Sequence, residues 1–320
     1  RTLRTMLVME NTIRVNKRIS NSIRLKVTSR CELHCNFCHK EGSTSIEDLC
    51  WDRNLREAIL AFKQSMNIDE IHFTGGEPTE SKYLGELTQA LISNGFKVKT
   101  TTNGLCEKER LIALYSNGLR YLNFSIHTLD PVGLQRIQKR MNIADALKIV
   151  DIQKKNILLI KKLGAAVKIN TVVSSIDDIE SACTVYNFTK DHGISIRFLN
   201  NLSKGIKSVN AIKILVQKLH AQKTREEVTI GSSSKTAFYT DRDHYEFGVK
   251  EIQDFKLQTV CATCAIDCKE HFYGMRLEKR NGELFVRLCL AKEDKKTFIN
   301  LKAFFLSEQF KELKELTTLN

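Results

Sequence analysis

Cys31, Cys35 and Cys38 stand in the stretch Cys31-Glu-Leu-His-Cys35-Asn-Phe-Cys38, which follows the run Ile23-Arg-Leu-Lys-Val27. Thiolates are the ligands of iron-sulfur clusters, and three of them on a four-iron cube leave the fourth iron open to an exchangeable ligand. The competing chemistry is zinc, with His34 or His39 completing the site. Zinc cysteines usually come as C-x2-4-C with a second pair elsewhere, which a C-x3-C-x2-C triplet does not match. A second group, Cys261-Ala-Thr-Cys264-Ala-Ile-Asp-Cys268, is followed by Cys289. Its C-x2-C start also suits a zinc ribbon, so zinc and iron both stay open there. Cys50, Cys106 and Cys183 are scattered and read as small buried hydrophobes.

A chain of 320 residues, 42% hydrophobic, can bury a large core with an appendage. Its 10 cysteines, without a secretion signal, point to metal or redox chemistry rather than a disulfide framework. No apolar run reaches the length of a membrane span, and the first apolar stretch is short for a signal peptide, so the expected location is the cytoplasm. A net charge of +13 invites a nucleic-acid reading. The Lys and Arg are spread among Asp and Glu along helical stretches, however, and the excess is read as solvated helix faces plus a pocket for an anion.

The elements that must position the cysteines follow from periodicity. Residues 1–21 read as an arm. Strands are expected near 22–28, 70–74, 97–101, 120–126, 167–173 and 194–199, alternating with helices at 51–66, 83–93, 107–116, 132–163 and 176–191, the fourth broken at 139–142. Such alternation gives an α/β fold with a parallel sheet and external helices. Ligands of parallel sheets gather at the carboxyl ends of the strands. The cysteine loop, Gly75-Gly76-Glu77-Pro78, Thr102-Asn103-Gly104, Ser125, His127, Lys168 and Arg197 are assigned to that rim. Each has a plainer reading: the glycine stretch as a tight turn, Ser125 and Lys168 as ordinary strand polar groups, His127 as structural. Two adjacent glycines also let backbone approach a ligand closely. Beyond 204 the composition shifts; a helix is expected at 209–221, short strands around 231–234, and a hairpin of 272–277 with 283–288 about Asn281-Gly282 that returns Cys289 to its partners.

Phe37, one residue before Cys38, completes a C-x3-C-x-aromatic-C pattern that resembles the signature of the radical S-adenosylmethionine (SAM) superfamily. Within it the chain most resembles the GTP 3′,8-cyclase family of molybdenum-cofactor biosynthesis. The segments carrying the likeness are Ile23-Arg-Leu-Lys-Val-Thr-Ser-Arg-Cys31, Phe73-Thr-Gly-Gly-Glu-Pro78, Thr101-Thr-Asn-Gly104, Ser125-Ile-His-Thr-Leu-Asp-Pro131, Lys168-Ile-Asn-Thr-Val-Val173 and Ile196-Arg-Phe-Leu199.

The resemblance implies a partial (β/α)6 TIM barrel over 22–204 and a C-terminal auxiliary-cluster region over 205–320. It implies a 4Fe-4S cluster on Cys31, Cys35 and Cys38, whose open iron is chelated by the amino and carboxylate groups of SAM. Phe37, Thr74, Gly75, Gly76, Glu77, Thr102, Asn103, Ser125 and Lys168 would line the SAM pocket, with Leu202 near the adenine. Arg24, Arg197 and Arg276 would hold substrate. A second 4Fe-4S cluster would sit on Cys261, Cys264 and Cys289, and Cys268 departs from the family pattern: as a fourth ligand it closes that cluster, otherwise one iron stays open. The implied reaction is reductive cleavage of SAM to a 5′-deoxyadenosyl radical that abstracts hydrogen from a nucleotide-type small molecule, fed by a low-potential donor such as flavodoxin or ferredoxin. Glu70 and His72 replace basic residues usual in the cyclases, and Asn200 replaces a glutamate, which weakens the case for GTP itself. The alternatives are a radical SAM enzyme that modifies a peptide, and a non-enzymatic zinc or cluster module that binds nucleic acid.

Overall fold

The strand sequences carry two patterns at once. In Ser22–Thr28, Glu70–Gly75, Tyr121–Ser125 and Ser195–Asn200, apolar residues occupy every second position and the residues between them are polar or cationic. A strand alternates its faces with period two, so one face of the resulting sheet is oily and the other charged. In the computed structural model, which describes residues 13–138 and 140–318, Ile23, Leu25, Phe73, Phe124, Ile169 and Phe198 are fully buried in the helix-covered core. Arg24, His72, Lys99, Asn123, Lys168 and Arg197 line the opposite, inner wall. Residues 1–12 of the expected arm, Lys139 of the expected helix break and residues 319–320 lie outside the described residues.

The strands are β1 (Arg14–Ile19), β2 (Ser22–Thr28), β3 (Glu70–Gly75), β4 (Lys97–Thr102), β5 (Tyr121–Ser125), β6 (Ala166–Val173), β7 (Ser195–Asn200), β8 (Gln222–Ile230), β9 (Ser234–Thr240), β10 (Glu246–Ile252), β11 (Arg276–Arg280), β12 (Glu283–Arg287) and β13 (Phe298–Asn300). They form one sheet in the order β1-β8-β9-β10-β7-β6-β5-β4-β3-β2-β11-β12-β13. Strands β2 to β7 are parallel and consecutive, the expected partial barrel. Helices α1 (Arg53–Met66), α2 (Leu84–Ser93), α3 (Lys108–Ser116), α4 (Pro131–Ile137), α5 (Ile143–Lys162) and α6 (Ile179–Asp191) connect them. Helix α1 shows why: Asp52 caps it by accepting from Leu55 N–H, and Leu55, Ile59, Phe62 and Met66 bury one face. The break between α4 and α5 occurs where the sequence suggests it, with Asn142 capping α5.

Two regions differ from the sequence reading. The described part of the arm is a strand, β1, parallel to β8. Its residues are mostly exposed, which explains the lack of any apolar alternation to announce it. The segment after 204 continues both edges of the sheet: β10 pairs in parallel with β7, and β11 with β2. The hairpin of β11 and β12 turns at Asn281 and Gly282, with φ of 51° and 78°, the left-handed pair that a tight two-residue hairpin demands.

Candidate active site

At the carboxyl rim, the cysteine loop and the glycine motif are knitted through backbone. Gly76 N–H donates to Thr28 carbonyl at 2.9 Å and Glu77 N–H to Arg30 carbonyl at 2.7 Å. A Cβ on Gly76 would meet the Arg30 oxygen at 2.1 Å, and one on Gly75, whose φ is +134°, the Thr28 oxygen at 2.1 Å. Glycine is what permits this approach. The buried Glu77 carboxylate accepts from Thr79 N–H (3.1 Å) and hydroxyl (2.8 Å), from Thr102 hydroxyl (2.7 Å) and from Asn103 N–H (2.5 Å). It thereby clamps the β3 loop to the β4 loop. Burial pushes its carboxyl up to about 7 even though these donors pull the other way. Thr74 is buried beside β2, and Asn103 Nδ2 reaches Glu32 at 3.3 Å. Ser125 ends β5 and Leu202 opens a single turn after β7, both half-buried. Phe37 meets the His127 ring edge-on at 4.7 Å, and His127 Nδ1 accepts from Val172 N–H at 3.0 Å. Burial takes His127 down to about 4, so it packs the cysteine loop as a neutral ring.

The cysteines fit an iron-sulfur group. Burial raises the Cys31 thiol to about 12 and raises Cys35 as well, so metal must displace their protons. The thiols are near enough that Cys35 feels Cys38 and Cys31 feels Cys35. N–H groups address the sulfurs: Lys40 N–H meets Cys38 Sγ at 3.4 Å, and Gln138 Nε2, from beyond α4, meets Cys35 Sγ at 2.9 Å. Donors of this kind suit an anionic cluster. Among the described residues no group of three His, Cys, Asp or Glu closes on a single metal ion. In the second group, burial raises the thiols of Cys261 and Cys289, and the nearby Cys264 and Cys268 add to the rise. Ser232 and Ser233 hydroxyls hold the segment after Cys268 through the Tyr273 and Glu270 carbonyls, at 2.9 and 2.7 Å.

The two cysteine groups touch through the turn at 40–42. A Cβ on Gly42 would meet the Leu290 carbonyl oxygen at 2.7 Å, next to Cys289. Glu41 lies between Arg24 (3.5 Å) and Arg276 (2.6 Å), and Arg276 also meets Glu270 at 3.3 Å. Arg276 is thus 2% exposed and paired with two carboxylates, and it stands between the cysteine groups rather than in the barrel cavity.

Below the rim, the lumen holds a cavity of about 400 Å³ whose cations are Arg18, Arg24, Lys99, Lys168, Arg197 and Arg225. Lys99 pairs with Glu70, Arg225 with Glu227 and Glu246, and Arg24 with Glu41. Among the described residues, Lys168 and Arg197 have no carboxylate at ion-pair distance; Arg197 Nε donates to Asn170 Oδ1 at 3.2 Å. Burial brings Lys168 down to about 8 and lowers Arg197 also. His72 is neutral by burial and meets Thr101 hydroxyl at 2.8 Å. Lys168 therefore lines the lumen together with Arg197. Sequence reading missed Lys99 and Gln138. The cationic alternation of β4 signals the first, while nothing local signals the second.

Comparison with known proteins agrees with this geometry. Residues 25–178 match the radical SAM superfamily. The GTP 3′,8-cyclase of Nautilia profundicola is 30% identical over 259 residues, 76% of this chain and 75% of that protein. The GTP 3′,8-cyclase of Aquifex aeolicus is 30% identical over 190 residues, and the match spans 57% of each protein. Two solved structures share the fold: Streptococcus suis SuiB, with a TM-score of 0.59, 15% identity, and 93% of this chain and 68% of that one covered; and anSMEcpe with bound AdoMet, with a TM-score of 0.55, 16% identity, and 93% and 84% covered. The chain belongs to the radical SAM superfamily and, within it, resembles the GTP 3′,8-cyclases.

Proposed function

We propose that the protein abstracts hydrogen from a phosphorylated nucleotide held in the barrel lumen beneath the first cysteine loop. The observation that carries this reading is the half-buried pair Lys168 and Arg197, which has no carboxylate at ion-pair distance in the 400 Å³ cavity that it lines. A buried charge left without a partner is costly, and an incoming oligophosphate relieves it. Arg18 and Arg24 line the same cavity, and a guanidinium suits phosphate oxygens because it can donate to two of them at once.

Cys31, Cys35 and Cys38 would hold the first cluster, with Gly75, Gly76, Thr102, Asn103 and Ser125 around its SAM. When bound, this pair of cofactors supplies the 5′-deoxyadenosyl radical, and the protein orients the substrate carbon and keeps water out. Cys261, Cys264 and Cys289 would hold an auxiliary cluster. The electrostatic reach of Cys268 to Cys261 and Cys289 supports it as a fourth ligand, which would close that cluster to direct substrate contact. A small low-potential protein such as flavodoxin or ferredoxin would supply the electron in the cytoplasm; among the described residues no helix is long and apolar enough to cross a membrane.

The test is incubation of the anaerobically reconstituted, reduced protein with SAM and a panel of nucleosides, nucleotides and peptides. Formation of 5′-deoxyadenosine with a mass change in a nucleoside di- or triphosphate is expected. Turnover of peptides alone, with nucleotides inert, would overturn the substrate assignment.

A further inference from the structure

The cysteine loop rests on the end of helix α4, and one side chain there meets a sulfur. Helix α4 stops at Ile137, and Gln138 is extended, with φ of −99° and ψ of 122°. It forms an antiparallel bridge with Cys35. The last carbonyls of a helix lack partners within it. Here Asn36 takes two of them: its N–H donates to the Ile137 carbonyl at 3.1 Å and its Nδ2 to the Arg136 carbonyl at 3.3 Å. The Gln138 side chain, 4% exposed, then grips the loop at adjoining residues. His34 N–H donates to Gln138 Oε1 at 2.7 Å, and Gln138 Nε2 donates to Cys35 Sγ at 2.9 Å. The orientation of the amide is fixed by chemistry: a backbone N–H can pair only with the amide oxygen, so the NH₂ faces the sulfur.

We propose that Gln138 is a positioning residue for the first cluster that also sets its reduction potential, through the N–H···S bond to Cys35. Reduction adds negative charge that spreads onto the ligating sulfurs, and a donor aimed at one of them stabilises the reduced state. Burial of the Gln138 amide strengthens the bond, because little water competes for its donor. Among the described residues, Gln138 supplies the only side-chain amide that meets a cysteine sulfur; Cys38 has a backbone N–H at 3.4 Å. The sulfur of Cys35 is therefore the one most exposed to substitution at a distant position. The inference concerns electron entry and does not depend on which substrate the lumen takes.

The experiment compares the reconstituted protein with Gln138→Leu and Gln138→Glu. Gln138→Leu removes both bonds; Gln138→Glu keeps the oxygen that orients His34 and puts a negative charge where the donor was. Iron and sulfide content establish first that the cluster has formed. A reductive titration then follows the EPR signal of the first cluster, recognised by its change when SAM is added. Both variants should titrate at a more negative midpoint than the wild type, Gln138→Glu the lower of the two. A midpoint equal to wild type in a variant that keeps full iron would overturn the proposal and leave Gln138 a structural tie. Should neither variant keep the cluster, the wild-type protein is labelled with side-chain ¹⁵N glutamine and examined by pulsed EPR. A ¹⁵N coupling to the reduced cluster supports the bond to sulfur, and its absence overturns it.

Discussion

The rim and the lumen of the barrel are built on opposite plans. At the rim, chain segments meet backbone to backbone: Gly76 on Thr28, Glu77 on Arg30, and the Glu77 carboxylate gathers donors from two loops, so nearly every polar group is satisfied within the protein. In the lumen, side chains from each of the strands β2 to β7 line a cavity, and the half-buried Lys168 and Arg197 have no carboxylate at ion-pair distance. A satisfied rim can be rigid before any ligand arrives, as the placing of a reactive cofactor requires. An unsatisfied lumen carries electrostatic strain that only a ligand removes, so selectivity belongs there.

The largest expected effect comes from the rim. Cys35→Ala should abolish iron loading at the first site and with it all 5′-deoxyadenosine formation, measured by chromatography after dithionite reduction; retained turnover would contradict the cluster assignment. A lumen substitution should separate the two regions. Arg197→Met is expected to weaken binding of a nucleoside triphosphate ~100-fold, as the loss of charged hydrogen bonds predicts. It should leave substrate-free SAM cleavage intact, and should slightly raise the stability of the ligand-free protein, because it removes a half-buried charge without a carboxylate partner. Equal loss of SAM cleavage and nucleotide binding would erase the distinction between the regions.

The smallest effect is a pH dependence. Burial raises Glu77 from its ordinary 4.5 to about 7. A carboxyl that binds its proton more tightly when folded stabilises the fold fully below 4.5, and that stabilisation fades as pH rises through 7. Denaturant titrations across this window should show a decline on the order of 3 kcal/mol. A side-chain amide cannot titrate, so the decline should flatten in Glu77→Gln; an unchanged slope would assign it to other groups.

The same contrast decides what was legible in the sequence. The rim announces itself because its residues are contiguous: Cys31 to Cys38, Gly75 to Glu77, and Thr102-Asn103 each form a motif within a few positions. The six parallel strands were legible for the same reason, since period-two alternation is a local signal. The lumen is assembled from single residues spaced by whole βα units, so its cations look like strand polar groups until the barrel brings them together. Lys168 and Arg197, on neighbouring strands, line one cavity, which neither position shows by itself. Arg276 could be found as a basic residue, but not its pairing with Glu41 and Glu270, which depends on β11 adding to β2. Strand β1 was illegible because an exposed edge strand needs no apolar face. Gln138 lies more than a hundred residues from the cysteine it addresses, and no local pattern connects them.

The most direct test of the account is calorimetric binding to the reconstituted protein of a nucleoside triphosphate against the same nucleoside without phosphates, at low and high salt. The triphosphate should bind ~100-fold or more tightly, Arg197→Met should remove most of the difference, and the advantage should shrink only partly with salt because the cations are half-buried inside the cavity. Equal affinity for the two ligands would contradict the account, leaving Lys168 and Arg197 with no anion to explain them.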